Sequence, residues 1–240
     1  MIYCNDLTLT LNGWHGREGE KSMYHYIEDK DFLKRMKSLC SDIINQLVQS
    51  VNNDSVMTVE SHLVGSGARN LITQNAKEPI DLDYNLCVLE VFGISFNDGK
   101  AIKEHIRKHF NSVLNHNGWN DCQDSTSALS TELRYFTKGN KTEFSIDLAI
   151  VCESDYGWER LIHRKTGFVS LDQWYWNEAP NSKGLADKVD TIKDENLWLE
   201  VRDLYLDKKN MYLCRGDKEN HPSFNVYIET INEIYYKYFR

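Results

Sequence analysis

The sequence predicts an α+β protein made of two parts, a core over residues 1–154 and a mostly helical lobe over residues 155–240. In the first part, segments with helical periodicity alternate with short strand-like segments, which is typical of an α+β fold. In the second part, apolar residues recur mainly three or four positions apart, as they do on one face of a helix. We expect the boundary between the two parts near residues 153–158.

The individual elements follow from the spacing of apolar residues. Steps of three and four predict amphipathic helices, and short alternating or β-branched runs predict strands. In chain order, the core is predicted to contain a helix over 26–50, an extended segment over 55–64, a strand over 80–88, a helix over 99–115 and a hairpin of 128–136 with 143–151. The lobe is predicted to contain a helix near 194–209 and another that starts at Pro222, a residue favoured in a first turn.

The composition is that of a globular protein with a core of ordinary size. Of the 240 residues, 41% are hydrophobic and 12% are aromatic, which suffices for one large domain or one domain with a smaller companion. The formal net charge is −8. Proteins that bind the nucleic-acid backbone normally present a basic face, so the acidic balance disfavours generic nucleic-acid binding.

Cysteine usage and the N-terminal sequence favour a cytoplasmic protein. The cysteines form no CxxC pair, so we expect reduced thiols rather than disulfides or a zinc site. They are Cys4, Cys40, Cys87, Cys122, Cys152 and Cys214. The segment MIYCNDLTLTLNGWHG lacks a basic stretch followed by an apolar one, so no signal peptide is predicted. No apolar run reaches the length needed to cross a bilayer, and we expect no membrane partner.

Two aspartates share one face of the strand predicted over 80–88. Asp81 and Asp83 are two residues apart, so both carboxylates project from the same side of the strand. Two like charges this close repel and raise each other's pKa. A divalent cation would offset the repulsion, and Mg²⁺ accepts one or two protein carboxylates together with waters and phosphate oxygens.

A third aspartate lies in the strand predicted over 143–151. Asp147 stands between Ile146 and Leu148, which we expect to be buried on the opposite face. A lone carboxylate in an apolar strand is costly unless it meets a partner or a metal. If this strand neighbours the one that carries the aspartate pair, three carboxylates converge, which is the layout of a two-metal site for in-line displacement.

The turn Gly65-Ser66-Gly67 links the extended segment to a short predicted helix. Glycine lets backbone N–H groups approach phosphate oxygens closely, and a helix N-terminus favours negative charge. The Ser66 hydroxyl adds one more donor, and Arg69 follows in the same segment. We therefore predict that Gly65, Ser66 and Arg69 bind an anionic ligand.

Together these residues resemble the signature of the DNA polymerase β-like nucleotidyltransferase superfamily. That signature is a Gly-Ser turn, an Asp-x-Asp strand and a third carboxylate on a neighbouring strand, and here it covers about residues 30–152. The resemblance implies a mixed-sheet core flanked by helices, with a C-terminal helical lobe. It also implies an enzyme that moves a nucleoside monophosphate from a nucleoside triphosphate (NTP) to an acceptor hydroxyl and releases pyrophosphate.

The resemblance also assigns roles to the candidate residues. Asp81 and Asp83 would bind two Mg²⁺ ions, which Mn²⁺ can replace, and Asp147 would bind the catalytic one. Gly65 and Ser66 would hold the terminal phosphates. An acidic, compact chain resembles the antibiotic-modifying members most, but nucleotide cyclases, protein-modifying enzymes and toxin–antitoxin nucleotidyltransferases share the motif. The acceptor, the preferred base and the oligomeric state therefore stay open.

Two features depart from the superfamily pattern. Asn70-Leu71 stands where many relatives have Gly-Thr or Gly-Ser, and 14 residues separate Ser66 from Asp81, which is long for the superfamily. Neither feature removes a metal ligand, although the loop can hold phosphates differently. The alternative hypothesis is a catalytically inactive protein that binds a nucleotide as a sensor or as a partner module.

Other polar clusters have simpler interpretations. His105 and His109 have the helical spacing of a zinc pair, but the glutamate of a metalloprotease motif is missing, so a solvated face is favoured. A triphosphate site and a solvated helix face are both open for the basic cluster Arg160, His163, Arg164 and Lys165, and the same holds for Lys183 and Lys188.

The aromatic run of Trp174, Tyr175 and Trp176 has two interpretations. These side chains can stack on a base or pack between the two parts of the chain. We expect packing, because aromatic side chains bury well. P-loop, dinucleotide-binding and serine-hydrolase motifs are absent from the sequence, which speaks against those three functions.

Overall fold

The protein is described by a computed structural model that covers residues 23–155, 157–179, 184–215 and 222–239. Within these ranges the chain forms a mixed sheet with helices, which confirms the predicted α+β class. The predictions that concern the N-terminal segment with Cys4, or the side chains of Lys183 and Cys214, lie outside what is described.

The elements predicted before residue 155 occur in the predicted order, although the first helix starts at Lys30 rather than at residue 26 and the short strands at 24–26, 73–75 and 123–124 were not predicted. The elements before residue 155 are β1 (Tyr24–Tyr26), α1 (Lys30–Asn52), β2 (Met57–Leu63), α2 (Gly65–Arg69), β3 (Thr73–Asn75), β4 (Ile80–Val91), α3 (Gly99–His116), β5 (Gln123–Asp124), β6 (Leu129–Ser130) and β7 (Phe144–Ser154). The later elements are β8 (Gly157–Arg164), a 3-10 turn (Val169–Leu171), β9 (Gln173–Glu178), α4 (Leu185–Asp194), α5 (Trp198–Cys214) and α6 (Ser223–Tyr238).

The main sheet is mixed and is built around two long central strands. Its order is β2-β4-β7-β6-β5. In addition, β8 pairs with the C-terminal residues of β7, and β9 pairs with β8. The central pair β4 and β7 is parallel, whereas the pairs β2–β4, β6–β7, β7–β8 and β8–β9 are antiparallel. The predicted hairpin is therefore present in reduced form, since its first strand is limited to β6 and one isolated bridge between Arg134 and Phe144.

Helices α1 and α3 cover one face of this sheet. In α1, residues at helical spacing such as Met36, Ile43 and Leu47 are fully buried. The helix begins where the Asp29 side chain accepts a hydrogen bond from Phe32 N at 2.9 Å, an N-cap that satisfies one of the free donors of the first turn. The apolar positions of β4 and β7 face these helices, so their polar positions line the opposite face of the sheet.

The helices α4, α5 and α6 form a second apolar core. Val201, Tyr205 and Ile231 are at its centre, and Leu71, directly after α2, is buried among them. The small sheet of β1 and β3 also holds α5 in place, because Tyr26 Oη donates to Arg202 O at 2.7 Å. The helical lobe therefore packs against the chain directly after α2.

The expectation of mostly helical structure directly after residue 155 is wrong for residues 157–178, which form β8 and β9 of the main sheet. In β8 the residues alternate, with Leu161 and His163 buried and Arg164 exposed. The basic residues at 160, 163 and 164 are also three and four apart, and that spacing imitates a helical face. The domain boundary predicted near residue 155 stays a prediction.

Four cysteines have described side chains, and all four are free and buried: Cys40, Cys87, Cys122 and Cys152. This agrees with the prediction of reduced thiols. Burial raises the pKa of Cys40 to about 12, which keeps that thiol protonated. In the described part of the chain, every helix is too short or too polar to span a bilayer.

Candidate active site

The three candidate aspartates lie on the two parallel central strands. Asp83 on β4 and Asp147 on β7 are direct register partners, and Asp81 is paired with Ser145 in the same ladder. Alternation along each strand places Asp81, Asp83 and Asp147 on the face of the sheet away from α1 and α3. The condition set by the sequence, that the two strands be neighbours, is met.

Burial and mutual repulsion act on this group of carboxylates. Burial and the nearby charges of Asp147 and Asp81 raise the pKa of Asp83 to about 6, while Arg160 and Arg69 act in the opposite direction. The pKa of Asp147 is also raised, chiefly by burial and further by Asp81, although a hydrogen bond with Ser130 opposes this. When all three carboxylates are ionised, their negative charges outnumber the two positive charges that act on Asp83, those of Arg160 and Arg69.

The donor set fits a magnesium centre. Carboxylate oxygens are the ligands that Mg²⁺ prefers, and the excess negative charge favours a dication. The described residues contain two other groups of three ligand atoms within 4.8 Å of one another, and the three aspartates are not such a group. Asp81 Oδ1 accepts a hydrogen bond from Ser145 Oγ at 2.5 Å, so this oxygen already has a protein donor. The side chains of Asp81, Asp83 and Asp147 thus lie on one side of the sheet, but their carboxylate oxygens are not all within 4.8 Å of one another.

Gly65 lies directly against Asp83. A Cβ atom at this position would be 2.2 Å from Asp83 Oδ2, and the φ of Gly65 is +63°, in the left-handed region. Val64 N donates to Asp83 O at 2.8 Å, which ties the start of the turn to β4. Both the backbone conformation and the space therefore require glycine at this position.

Solved structures with the same arrangement of elements carry low sequence identity. Vibrio cholerae DncV cyclic AMP-GMP synthase, in complex with a linear intermediate, matches with a TM-score of 0.59 and 8% identity, over 86% of this chain and 68% of that chain. CdnC from E. coli MS115-1 with ATP matches with a TM-score of 0.53 and 12% identity, over 88% of this chain and 62% of that one. This chain has the polymerase β-like nucleotidyltransferase fold.

The same CdnC in complex with HORMA-deltaN matches with a TM-score of 0.51 and 13% identity, over 85% of this chain and 60% of that one. The chain thus spans 60–68% of the length of these three chains. No protein-family model matches the sequence, and no curated protein sequence matches it. At these identities the likeness concerns the nucleotidyltransferase fold and leaves the activity to be argued from the site.

The segment that departs from the superfamily signature serves the packing of this nucleotidyltransferase fold. Asn70 ends the five-residue α2 in the left-handed conformation with φ +56°, which asparagine tolerates better than most residues. Its backbone N–H donates to Ser66 O, and so does that of Leu71, at 3.0 Å. Leu71 is 1% exposed in the core of the helical lobe, so it anchors the lobe beside the turn.

Arg69 connects the glycine turn to the helical lobe. Its Nη1 donates to Gly65 O at 2.8 Å, and its guanidinium lies 4.3 Å from the ring centroid of Tyr227 on α6. A guanidinium over an aromatic face is attracted by the ring electrons. Arg69 therefore braces the turn that carries Gly65 and Ser66, and direct contact of Arg69 with a phosphate stays a prediction.

Sequence reasoning underrated two polar residues on the open face of the sheet. Arg160 on β8 is paired with Val151, and its positive charge lowers the pKa of Asp83. Its buried Nε has no hydrogen-bond partner among the described residues. Asn85 follows Asp83 on the same face of β4, and its buried Oδ1 likewise has no donor within the part of the chain that the structure describes. Unpaired buried polar atoms are uncommon in folded proteins and indicate a place where a ligand or water completes the hydrogen bonding. The strand alternation around Arg160 was the signal that could have revealed it.

His163 and the two tryptophans, Trp174 and Trp176, make contacts within the protein. His163 is buried between Asp124 and Asp172, with nitrogen–oxygen distances of 2.7 and 3.2 Å, and stacks on Trp174. Trp176 stacks on Phe96 with ring centroids 5.2 Å apart. Packing thus holds for both tryptophans, but against the main core rather than between the lobes.

The histidine pair on α3 and the basic residues have surroundings that differ from those expected. The solvated face expected for His105 and His109 is wrong, because their side chains are only 17% and 19% exposed and both contact Asp54. Lys188 donates to Asn232 on α6 at 2.6 Å, which links α4 to α6. The helix face considered for the basic cluster at 160–165 is in fact a strand, because Arg160, His163 and Arg164 lie on β8 and Lys165 directly follows it.

Proposed function

We propose that the protein is a metal-dependent nucleotidyltransferase that moves a nucleoside monophosphate from an NTP to an acceptor hydroxyl and releases pyrophosphate. The observation that carries the proposal is the register pairing of Asp83 with Asp147, with Asp81 two residues away and Gly65 packed against Asp83. A solvated strand face does not need three carboxylates beside a glycine turn, whereas a site for a metal-bound triphosphate does.

Asp81, Asp83 and Asp147 would hold Mg²⁺, or Mn²⁺ in its place, and the bound metal would neutralise charge on the triphosphate. The raised pKa of Asp83, about 6, supports this assignment, since a carboxylate crowded by like charges gains most from a cation. The number of ions, two, is part of the proposal.

The phosphates are proposed to lie between the glycine turn and the aspartates. Gly65 has no side chain to fill that space, and the Ser66 hydroxyl supplies a donor at the same turn. Arg160 adds a positive charge near Asp83, and no atom of the described residues accepts a hydrogen bond from its Nε–H. Donors and a fixed cation around one space suit a triphosphate, which carries several negative charges.

Asp147 is proposed to accept the proton of the acceptor hydroxyl. In this step the hydroxyl oxygen forms a bond to the α-phosphorus, the bond from that phosphorus to the bridging oxygen breaks, and pyrophosphate leaves with the bond electrons. The proton moves to the Asp147 carboxylate. Burial raises the pKa of Asp147, which makes it a better proton acceptor than an exposed aspartate would be.

The acceptor we propose to test first is a ribose hydroxyl of a second nucleotide. DncV, whose fold this chain shares, is a cyclic AMP-GMP synthase with a linear dinucleotide bound. The fold does not decide the acceptor, so antibiotics, RNA and protein hydroxyls remain further candidates. The acidic net charge of −8 favours a small acceptor over a long nucleic acid.

The decisive experiment measures turnover with labelled nucleotides. The protein is incubated with ATP, GTP, CTP and UTP, singly and in pairs, with Mg²⁺ or Mn²⁺, while pyrophosphate release and labelled products are followed. We expect metal-dependent pyrophosphate release and a product whose label resists phosphatase when a nucleotide is the acceptor. The matched control is Asp83→Asn, in which the release should be abolished.

The same experiment separates the enzyme from a nucleotide sensor. Metal-dependent nucleotide binding without pyrophosphate release, on any nucleotide or on the other acceptor classes, would favour the sensor. Absence of metal-dependent binding altogether would refute both hypotheses, because the triphosphate site itself would then be misplaced.

A further inference from the structure

A second cluster of potential metal ligands lies away from the aspartates, where α1 ends. Asp54 follows α1, and its Oδ2 lies 2.7 Å from His105 Nε2 and 2.9 Å from His109 Nε2. The ligand atoms of these three residues all lie within 4.8 Å of one another. Met57, just after Asp54, is paired with Val91 at the end of β4 opposite to Asp81 and Asp83, so the two clusters occupy opposite ends of the sheet.

The histidines are placed by the geometry of α3. Residues four apart project from the same side of a helix, so His105 and His109 face Asp54 together, with ring centroids 4.7 Å apart. Two histidines at this spacing are a common zinc-binding pair, and a carboxylate is a usual third ligand. On a tetrahedral zinc ion with bonds of about 2.0–2.1 Å, ligand atoms lie roughly 3.3 Å apart. The observed distances are therefore a few tenths of an ångström short of that value.

The hydrogen bonding of the cluster is incomplete without a ligand. Within the described residues, no atom meets the buried His105 Nε2 in hydrogen-bond geometry, although Asp54 Oδ2 lies 2.7 Å from it. His109 Nε2 approaches the same oxygen, so one carboxylate oxygen meets two imidazole nitrogens. An ion between these atoms would give the lone pair of each Nε2 a partner, whereas in this structure only His109 meets Asp54 Oδ2 in hydrogen-bond geometry.

A neighbouring hydroxyl orients one of the rings. Ser50 Oγ, on α1, lies 2.7 Å from His109 Nδ1. Metal-binding histidines usually bond their second ring nitrogen to a protein group, which fixes the tautomer that leaves Nε2 for the metal. The side chains of Asp54, His105 and His109 are 26%, 17% and 19% exposed, so an ion can enter from solvent.

We propose that Asp54, His105 and His109 bind one zinc ion, with water in the fourth position. The ion would tie α3 to the end of α1 and to the start of β2, so its role is to stabilise the fold. Three protein ligands leave a position open, but the cluster is remote from the aspartates that carry the proposed transfer reaction.

The other group of possible ligands serves as a control. Glu60, His62 and Cys87 also lie within 4.8 Å, but Glu60 and His62 are exposed. Burial and the nearby glutamates raise the pKa of Cys87 to about 11, which disfavours the thiolate that zinc requires. We assign no ion to this second group.

The test titrates zinc into the full chain after chelator treatment, with excess Mg²⁺ present to compete for carboxylate sites. Calorimetry gives the stoichiometry, and Co²⁺ as a stand-in gives the visible spectrum of a tetrahedral site with nitrogen ligands. The variants are Asp54→Asn and His109→Gln. The matched controls are His116→Gln, exposed on the same helix, and His62→Gln, which removes a ligand of the other group.

We expect one zinc ion per wild-type chain and at least a tenfold loss of affinity in Asp54→Asn and in His109→Gln. Zinc should raise the thermal midpoint of the wild type and of both controls, but not that of either variant. The Co²⁺ spectrum of the wild type does not depend on whether a variant folds. A wild type that takes up no zinc, a loss of binding in His62→Gln, or unchanged binding in folded Asp54→Asn would each overturn the proposal.

Discussion

Asp83 on β4 and Asp147 on β7 stand directly opposite each other in a parallel ladder, on the one face of the sheet that α1 and α3 leave uncovered. Their strands carry fully buried neighbours, Leu82 and Ile146, on the other face. The rigid core therefore fixes the backbone beneath the two carboxylates, and neither strand can rotate to relieve their repulsion. This strain on the metal-free site leads to the first two predictions.

Asp83→Asn should leave the thermal midpoint of the metal-free protein unchanged or raised, since it removes one of the repelling charges. If the proposed metal site is correct, magnesium with an NTP should stabilise the wild type but not the variant, because the variant lacks one of the proposed ligands. Thermal unfolding with and without the ligands measures both effects. Glu90→Gln, exposed on the same strand, should behave as the wild type. Equal stabilisation of Asp83→Asn and wild type would exclude the metal site.

The stability of the metal-free protein should fall as the pH rises from about 4 to about 6. The pKa of Asp83 is about 6 in the folded chain, against an ordinary value of 3.8, so the folded state holds this proton more tightly than the unfolded chain. The shift of about two pKa units corresponds to a loss of up to ~3 kcal/mol, complete above the folded pKa. The raised pKa of Asp147 acts in the same direction.

Urea unfolding across this pH range, with chelator present, measures the trend. Asp83→Asn should flatten the pH dependence, and Mg²⁺ should remove most of it above about pH 6, where the carboxylates are ionised. The prediction would be contradicted by a stability that rises over the same pH interval, equally in the wild type and in the variant. Other titrating groups would then dominate the pH dependence, and the pKa of Asp83 would not be raised in the folded protein.

Local sequence patterns predicted the two strands that carry these aspartates, but did not predict that the two strands pair with each other. The strand over 80–88 and the strand over 143–151 were predicted from alternation alone, and both exist. Their pairing joins residues such as Asp81 and Ser145 that are 64 positions apart. Such long-range pairing is decided by the packing of the whole sheet, so only the superfamily resemblance could anticipate it.

Gly65→Ala should weaken nucleotide binding more than backbone strain alone explains. The added Cβ would meet Asp83 Oδ2 at 2.2 Å, so the carboxylate must move away from its place. Gly118→Ala is the matched control, because Gly118 has a similar φ of +74° but nothing within 4 Å of the added Cβ. Gly118→Ala should cost about 1–2 kcal/mol of stability without affecting nucleotide affinity. Normal NTP binding by Gly65→Ala would place the phosphates elsewhere.

Arg160→Gln should weaken NTP binding by roughly 10- to 100-fold, the worth of one hydrogen bond to a charged group (~1.5–3 kcal/mol). It should also raise the pKa of Asp83 further, because Arg160 opposes the rise. Nucleotide titrations and the pH dependence of unfolding measure these effects. Arg164→Gln, exposed on the same strand, is the control. Equal losses in both variants would indicate a general charge effect rather than a site.

Two misinterpretations show where local patterns fail. The spacing of the basic residues at 160, 163 and 164 matches a helical face, yet they lie on β8, where their neighbour Leu161 is buried in the main core. His105 and His109 were expected on a solvated face, but Asp54, about 50 positions earlier in the chain, covers them. In both cases a tertiary contact, absent from the local sequence, decides the environment of the side chain.

The last prediction concerns Asp147, on which the mechanism depends most. A pair such as Asp81 and Asp83 could bind a cation in many proteins. The proposed transfer reaction also requires a third carboxylate, which would help to hold the metal and would accept the acceptor proton. Asp147→Asn keeps the shape and a hydrogen-bonding group but loses both functions. Turnover should therefore fall by several orders of magnitude, as expected when a charge partner of the transition state is removed.

The nucleotide affinity of Asp147→Asn should change little, because the other proposed contacts to the triphosphate, from Asp81, Asp83 and the Gly65-Ser66 turn, are left intact. A purely structural Asp147 would give the opposite result, since replacing a buried, paired side chain alters stability and leaves the chemistry intact. Pyrophosphate release, NTP affinity and the thermal midpoint are measured on the same preparation, with Glu153→Gln, exposed on the same strand, as the control. Turnover of Asp147→Asn close to that of the control would rule out the three-carboxylate mechanism, because no other residue on β7 presents a carboxylate opposite Asp83.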